Sequence, residues 1–93
     1  MTPLYHPPVK RSLAIHGHKT SISLEPLFWE MLRAAAVREK TTVAALVARI
    51  DTERIKASPA PGLDGAIRLW LVSHEKGGGL APAAPAEELS GDQ

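Results

Sequence analysis

The sequence predicts a mainly α fold with one N-terminal β-ribbon strand followed by three helices. Residues 19–24, KTSISL, alternate polar and apolar side chains, the period of two expected of a half-buried strand. Pro26 follows directly, and a proline lacks the amide proton of a strand ladder but suits the first turn of a helix. Three later segments repeat apolar residues at i, i+3, i+4 and i+7, the spacing of one helix face.

Residues 1–10, with Pro3, Pro7 and Pro8, are expected to form an extended arm. Strand-like residues follow, but their phase changes. Leu13 and Ile15 place apolar groups on odd positions, whereas Thr20, Ile22 and Leu24 place them on even ones. Such a change needs a bulge or a turn, and Gly17 is the natural place for it. Two arrangements fit: a local hairpin turning at His16–Gly17, or two strand pieces joined by a kink.

Helix one is expected over about Pro26–Glu39, with Phe28, Trp29, Leu32, Ala35 and Ala36 on its apolar side. Thr41 and Thr42 interrupt it, and either hydroxyl can cap helix two, about Val43–Ile55. There Val43, Leu46, Val47 and Ile50 form a one-sided apolar stripe. Ser58-Pro59-Ala60-Pro61-Gly62 is a connector by composition. Helix three, about Leu63–Glu75, carries Leu63, Ala66, Ile67, Trp70 and Leu71 at the same spacing. The domain is expected over residues 11–76. The Ala/Pro/Glu-rich residues 77–93 have too little apolar content to fold and are expected to be disordered.

Ninety-three residues make one small domain. No Cys is present, which excludes disulfides, thiolate metal sites and a Cys nucleophile. No apolar run approaches the roughly 20 residues of a membrane span, and MTPLYHPPVKRS lacks the apolar core of an export signal, so a cytoplasmic protein is expected. The net charge of +1 hides an asymmetry: Lys10, Arg11 and Lys19 lie in an N-terminal stretch without Asp or Glu, while Glu87, Glu88 and Asp92 occupy a tail without a base. That basic bias suits a polyanionic partner and equally an ordinary solvated surface.

Catalysis is not expected. Ser73-His74-Glu75 has the letters of a triad, but neighbours on a helix point in different directions, and Gly77-Gly78-Gly79 reads as linker rather than phosphate cradle. His16 and His18 would share a face of a continuous strand, yet two imidazoles with no Cys or nearby carboxylate are weak grounds for a metal. No cofactor and no metal are expected.

The alternation KTSISL, the helix starting directly after it, its length of about four turns and the turn KTTV opening helix two together resemble the ribbon-helix-helix DNA-binding proteins, over about Lys19–Ile55. More narrowly, RSL…GHKTSISLEPLFWEML and the AIRLWLV run of helix three resemble short, largely uncharacterised bacterial proteins with a ribbon-helix-helix domain, over about residues 11–75. The resemblance implies an intertwined homodimer in which strands of two chains pair antiparallel above a shared core. Ile22, Leu24, Phe28, Trp29, Leu32, Val43, Leu46, Val47 and Ile50 are the residues expected in that core.

It also implies a transcriptional regulator that inserts a two-stranded ribbon into the major groove of duplex DNA. With Ile22 and Leu24 facing inward, parity assigns base contact to Lys19, Ser21 and Ser23. Thr41, Thr42 and Val43, at the start of helix two, are the expected phosphate contacts. The ordinary alternatives are a solvated strand face, a simple Thr cap, and tryptophans that serve the core rather than stack on bases. The rival function is a protein-interaction or antitoxin-like module that uses the ribbon face, helix three or the tail to bind protein. Helix three is free in this scheme either to cover the core or to join dimers into a tetramer.

Overall fold

A computed structural model describes residues 4–75. Two strands, β1 (Val9–Ile15) and β2 (His18–Leu24), precede three helices, α1 (Pro26–Arg38), α2 (Val43–Arg54) and α3 (Leu63–Ser73). The fold is therefore mainly helical, with an N-terminal two-stranded antiparallel ribbon. Residues 76–93, which include the tail expected over 77–93, lie outside the described residues.

The strands pair with each other, from Val9 opposite Leu24 to Ile15 opposite His18. Of the two arrangements open from the sequence, the hairpin at His16–Gly17 is the one formed, so β2, expected to be completed by a second copy, has β1 of the same chain as a neighbour. The reason is the two-residue connection. His16 (φ 51°) and Gly17 (φ 79°) both take left-handed conformations, as a type I′ turn requires, and that turn matches the right-handed twist of the flanking strands. Val9 and Lys10 join the ribbon rather than the arm. The indole Nε1–H of Trp29 donates to the Val9 carbonyl at 2.9 Å, which anchors the start of β1 to α1.

The phase change in the sequence is accounted for by this register. Paired residue numbers differ in parity, so odd positions of β1 and even positions of β2 share one face. Ile15, Ile22 and Leu24 are buried there, with Val9 and Leu13 packed beside them. The side chain of Arg11, on the same face, reaches over the Trp29 ring, 5.5 Å from its centroid.

Below the ribbon, Trp29, Leu32, Ala35 and Ala36 of α1, Leu46, Val47 and Ile50 of α2, and Ala66, Ile67, Trp70 and Leu71 of α3 form one core. Phe28, Val43 and Leu63 pack against it partly buried. Helix α3 rests on α2, α1 and β2, while α2 also meets β1. Six side chains, Ile22, Leu24, Leu32, Leu46, Ile67 and Val47, are fully enclosed by one chain. Burial of each such side chain contributes about 1.5–3 kcal/mol relative to exposure.

Helix α1 stops at Arg38 by a Schellman closure: Thr41 N–H donates to the Ala36 carbonyl (2.9 Å) and Lys40 N–H to that of Val37 (3.1 Å). Lys40 occupies the left-handed position, φ 56°, where glycine is usual. Thr42 then caps α2, its Oγ1 accepting from Ala45 N–H at 3.0 Å.

Candidate nucleic-acid interface

Strand alternation directs the face opposite the core away from the helices. Its cross-strand pairs are Lys10 with Ser23, Ser12 with Ser21 and Ala14 with Lys19. All are exposed except Ser23, which is half-buried. Lys19, Ser21 and Ser23, singled out from the sequence, thus lie together on β2. Beside them stand Lys10, Ser12 and Ala14, which the sequence reading missed because it left the pairing of the first strand piece open. The signal was available: a two-residue turn at His16–Gly17 fixes both register and facing.

This face has a definite chemistry. Four small residues form a low central strip, and a lysine stands at each end on opposite strands. The cross-strand pairs holding Lys10 and Lys19 are four steps apart, about 13 Å along the ribbon. The two ammonium groups can each donate three hydrogen bonds, and each serine hydroxyl can donate or accept. No carboxylate belongs to the face.

The ribbon is held from below at three places. Trp29 grips the start of β1, as described above. At the turn, His16 Nε2 lies 3.5 Å from Asp51 Oδ2, while Arg54 Nε and Nη2 stand 2.8 and 2.7 Å from Asp51 Oδ1. At the end of β2, Arg68 of α3 meets Glu25 Oε1 from Nε at 3.0 Å and from Nη2 at 2.9 Å. The Glu25 backbone N–H and the Arg68 guanidinium both donate to the Glu25 carboxylate and hold its pKa below the ordinary value, with slight burial acting the other way.

Thr41, Thr42 and Val43 occupy the α1–α2 turn and the start of α2, with exposed Lys40 just before them. The Thr42 hydroxyl oxygen is engaged as the helix cap. The backbone N–H groups of Val43 and Ala44, in the first helical turn, are of the kind that can hold an anion, while that of Ala45 is taken by the cap.

His16 and His18 do not act as neighbours on one strand. His16 is in the turn, and both imidazoles border a shallow cavity of about 280 Å³ with Thr20, Asp51, Arg54 and Leu63. Among the described residues no group of three or more His, Cys, Asp or Glu is placed to hold a metal ion. Ser73 and His74 come closer than helical geometry suggests, Oγ to Nδ1 2.9 Å, because His74 ends α3 outside helical backbone. Both side chains also meet the Trp70 carbonyl, at 3.0 and 2.8 Å, and the imidazole stacks on the Trp70 ring. They close the helix end.

A solved structure with the same architecture belongs to an uncharacterised protein from Bordetella pertussis Tohama I, 28% identical with a TM-score of 0.60. The match covers 73% of this chain and 55% of that one, so the chain corresponds to about half of the longer protein. No curated protein matches the chain. A family model described as the ribbon-helix-helix domain matches residues 8–74, from the start of the ribbon to the end of α3, and the chain belongs to that family.

Proposed function

We propose that the chain is a DNA-binding regulator of transcription that lays its ribbon in the major groove of duplex DNA. The observation that carries this reading is the outward face: Lys10 and Lys19 at its ends, Ser12, Ser21 and Ser23 between, and no carboxylate. A ribbon of this width fits a groove about 12 Å wide, and its small central residues let the backbone approach base edges closely. Lys19 and Lys10 donate to guanine O6 or N7, and the serines meet either donors or acceptors. Lys40, Thr41, Thr42 and Val43 hold a flanking phosphate and fix the register. Binding needs no cofactor, no catalysis is involved, and the protein acts in the cytoplasm, where bacterial DNA is found.

Ribbon-helix-helix domains act in pairs, and a homodimer is part of this proposal. Ile22, Leu24, Trp29, Leu32, Leu46, Val47 and Ile50 are buried within one chain, so a second copy meets side chains still exposed. Leu69 is 66% and Val72 44% exposed on α3, and they line a groove together with Ile50, Pro61, Ala66 and Trp70. An exposed apolar face of this kind can meet its own copy across a two-fold axis. The same groove, about 450 Å³, favours the second reading, in which this face binds another protein.

Fluorescence anisotropy with random-sequence duplex over a salt series tests the main reading. Binding that weakens steeply with salt supports it, because phosphate contact releases counterions. No binding at low salt refutes it and leaves the protein-interaction reading. Sedimentation at micromolar concentration tests the pair: a monomer refutes it.

A further inference from the structure

Helix α3 packs its apolar face into the core beneath the ribbon and, through Arg68, also makes polar contacts at the end of β2. Arg68 directs Nε and Nη2 at Glu25 Oε1, 3.0 and 2.9 Å away, and Nη2 lies 3.4 Å from the Ser23 carbonyl. Its guanidinium carbon also stands 5.7 Å from the centre of the Phe28 ring. Ser23 is the last outward-facing residue of β2, Glu25 is the N-cap of α1, and Phe28 belongs to the first turn of that helix. One guanidinium thus spans the joint where the ribbon leaves the helical body.

The apolar contacts beneath Ile22 and Leu24 hold the ribbon down, but hydrophobic burial is not directional. A planar guanidinium with fixed donor directions does set an angle. The lever is long. With Ser23 at the joint and Lys19 four steps away, a tilt of about 10° moves the far end by roughly 2 Å, enough to break a hydrogen bond to a base. Trp29 ties the start of β1, the partner of Leu24, to α1 at this same end, and His16 meets Asp51 at the turn; Arg68 adds the polar link from α3 to the end of β2.

We propose that Arg68 is a positioning residue for DNA recognition: helix α3 sets the angle of the outward ribbon face, and with it sequence preference, without touching DNA. The proposal rests on the DNA-binding reading above and adds the role of the third helix.

The test compares Arg68→Met, which keeps the stem and removes the donors, with Glu25→Gln, which weakens the other end. Arg49→Met serves as control for loss of one positive charge, since Arg49 pairs with Glu39 on the helical body. Duplexes selected from a random pool by the unaltered protein are titrated against random duplex by anisotropy. Arg68→Met and Glu25→Gln are each expected to reduce the selected-over-random preference about tenfold, and the double variant no further, whereas Arg49→Met lowers both affinities alike. A preference unchanged within twofold in an Arg68→Met protein with unaltered circular dichroism overturns the proposal.

Amide hydrogen exchange separates this failure from failure of the DNA reading. If the unaltered protein binds no duplex, the DNA reading falls, and with it the role in recognition. Faster exchange over residues 22–25 in Arg68→Met then still shows that α3 holds the joint. Unchanged exchange there overturns the tether itself.

Discussion

Replacing Trp29 with Phe probes the anchor of the ribbon to the helical body. Trp29 is 3% exposed, its Nε1–H donates to the Val9 carbonyl at 2.9 Å, and Arg11 lies over its ring at 5.5 Å. Phe removes the donor, and one intramolecular hydrogen bond is worth about 1 kcal/mol net. The smaller ring leaves space in a packed site, a further cost of about 1 kcal/mol. A weaker platform for Arg11 adds about 0.5 kcal/mol. The sum, about 2–3 kcal/mol, is large for a domain whose total stability is on the order of 5 kcal/mol, yet it leaves the protein folded. Urea unfolding followed by circular dichroism measures the loss, and amide exchange at Lys10 and Arg11 locates it. A loss under about 0.5 kcal/mol, or one felt in α3 with β1 still protected, would refute the anchor. Because anchor and strand belong to one chain, the difference between variant and parent should not change on tenfold dilution.

Gly17→Val forces a β-branched residue to φ 79° and is expected to cost at least about 1–2 kcal/mol, seen as a lower melting temperature with loss of ribbon cross-peaks in NMR spectra. Lys40→Gly relieves the left-handed lysine, so its melting temperature should hold or rise by a few degrees, and a clear fall would show that the Lys40 side chain stabilises the turn. The lowered pKa of Glu25 means that its ionised form is favoured by folding. Its contribution is therefore complete above the unfolded-state value and disappears as pH falls through the lower folded-state value. Arg68→Met should flatten this part of the acid stability profile, measured by thermal melts below about pH 5, and an identical slope would refute the pairing.

Much of the architecture was legible because local signals agreed. Pro26 after an alternating strand, Thr42 before an apolar stripe and Gly62 before Leu63 mark helix starts that the structure repeats. Helix ends were less legible: Lys40 does in α1 what glycine usually does, and no periodicity reports a left-handed lysine. The hairpin was half visible. A parity change reads the same for a kink as for a turn, and His at the first turn position conceals a signal that Asn would have given. Lys10, Ser12 and Ala14 escaped notice for that reason. Arg68 could not be found from local pattern, since its partners lie 43 and 45 positions earlier in the chain.

A ribbon made of two copies of one strand presents every substitution twice, related by symmetry. Here the strands VKRSLAI and HKTSISL are different segments of one polypeptide. A single codon change therefore alters a single position on the face, and the Lys10 end can diverge from the Lys19 end without a matching change across an axis. On the DNA-binding reading proposed above, the two ends are free to acquire separate preferences, so the sequence that one such ribbon meets carries no requirement to read the same on both strands.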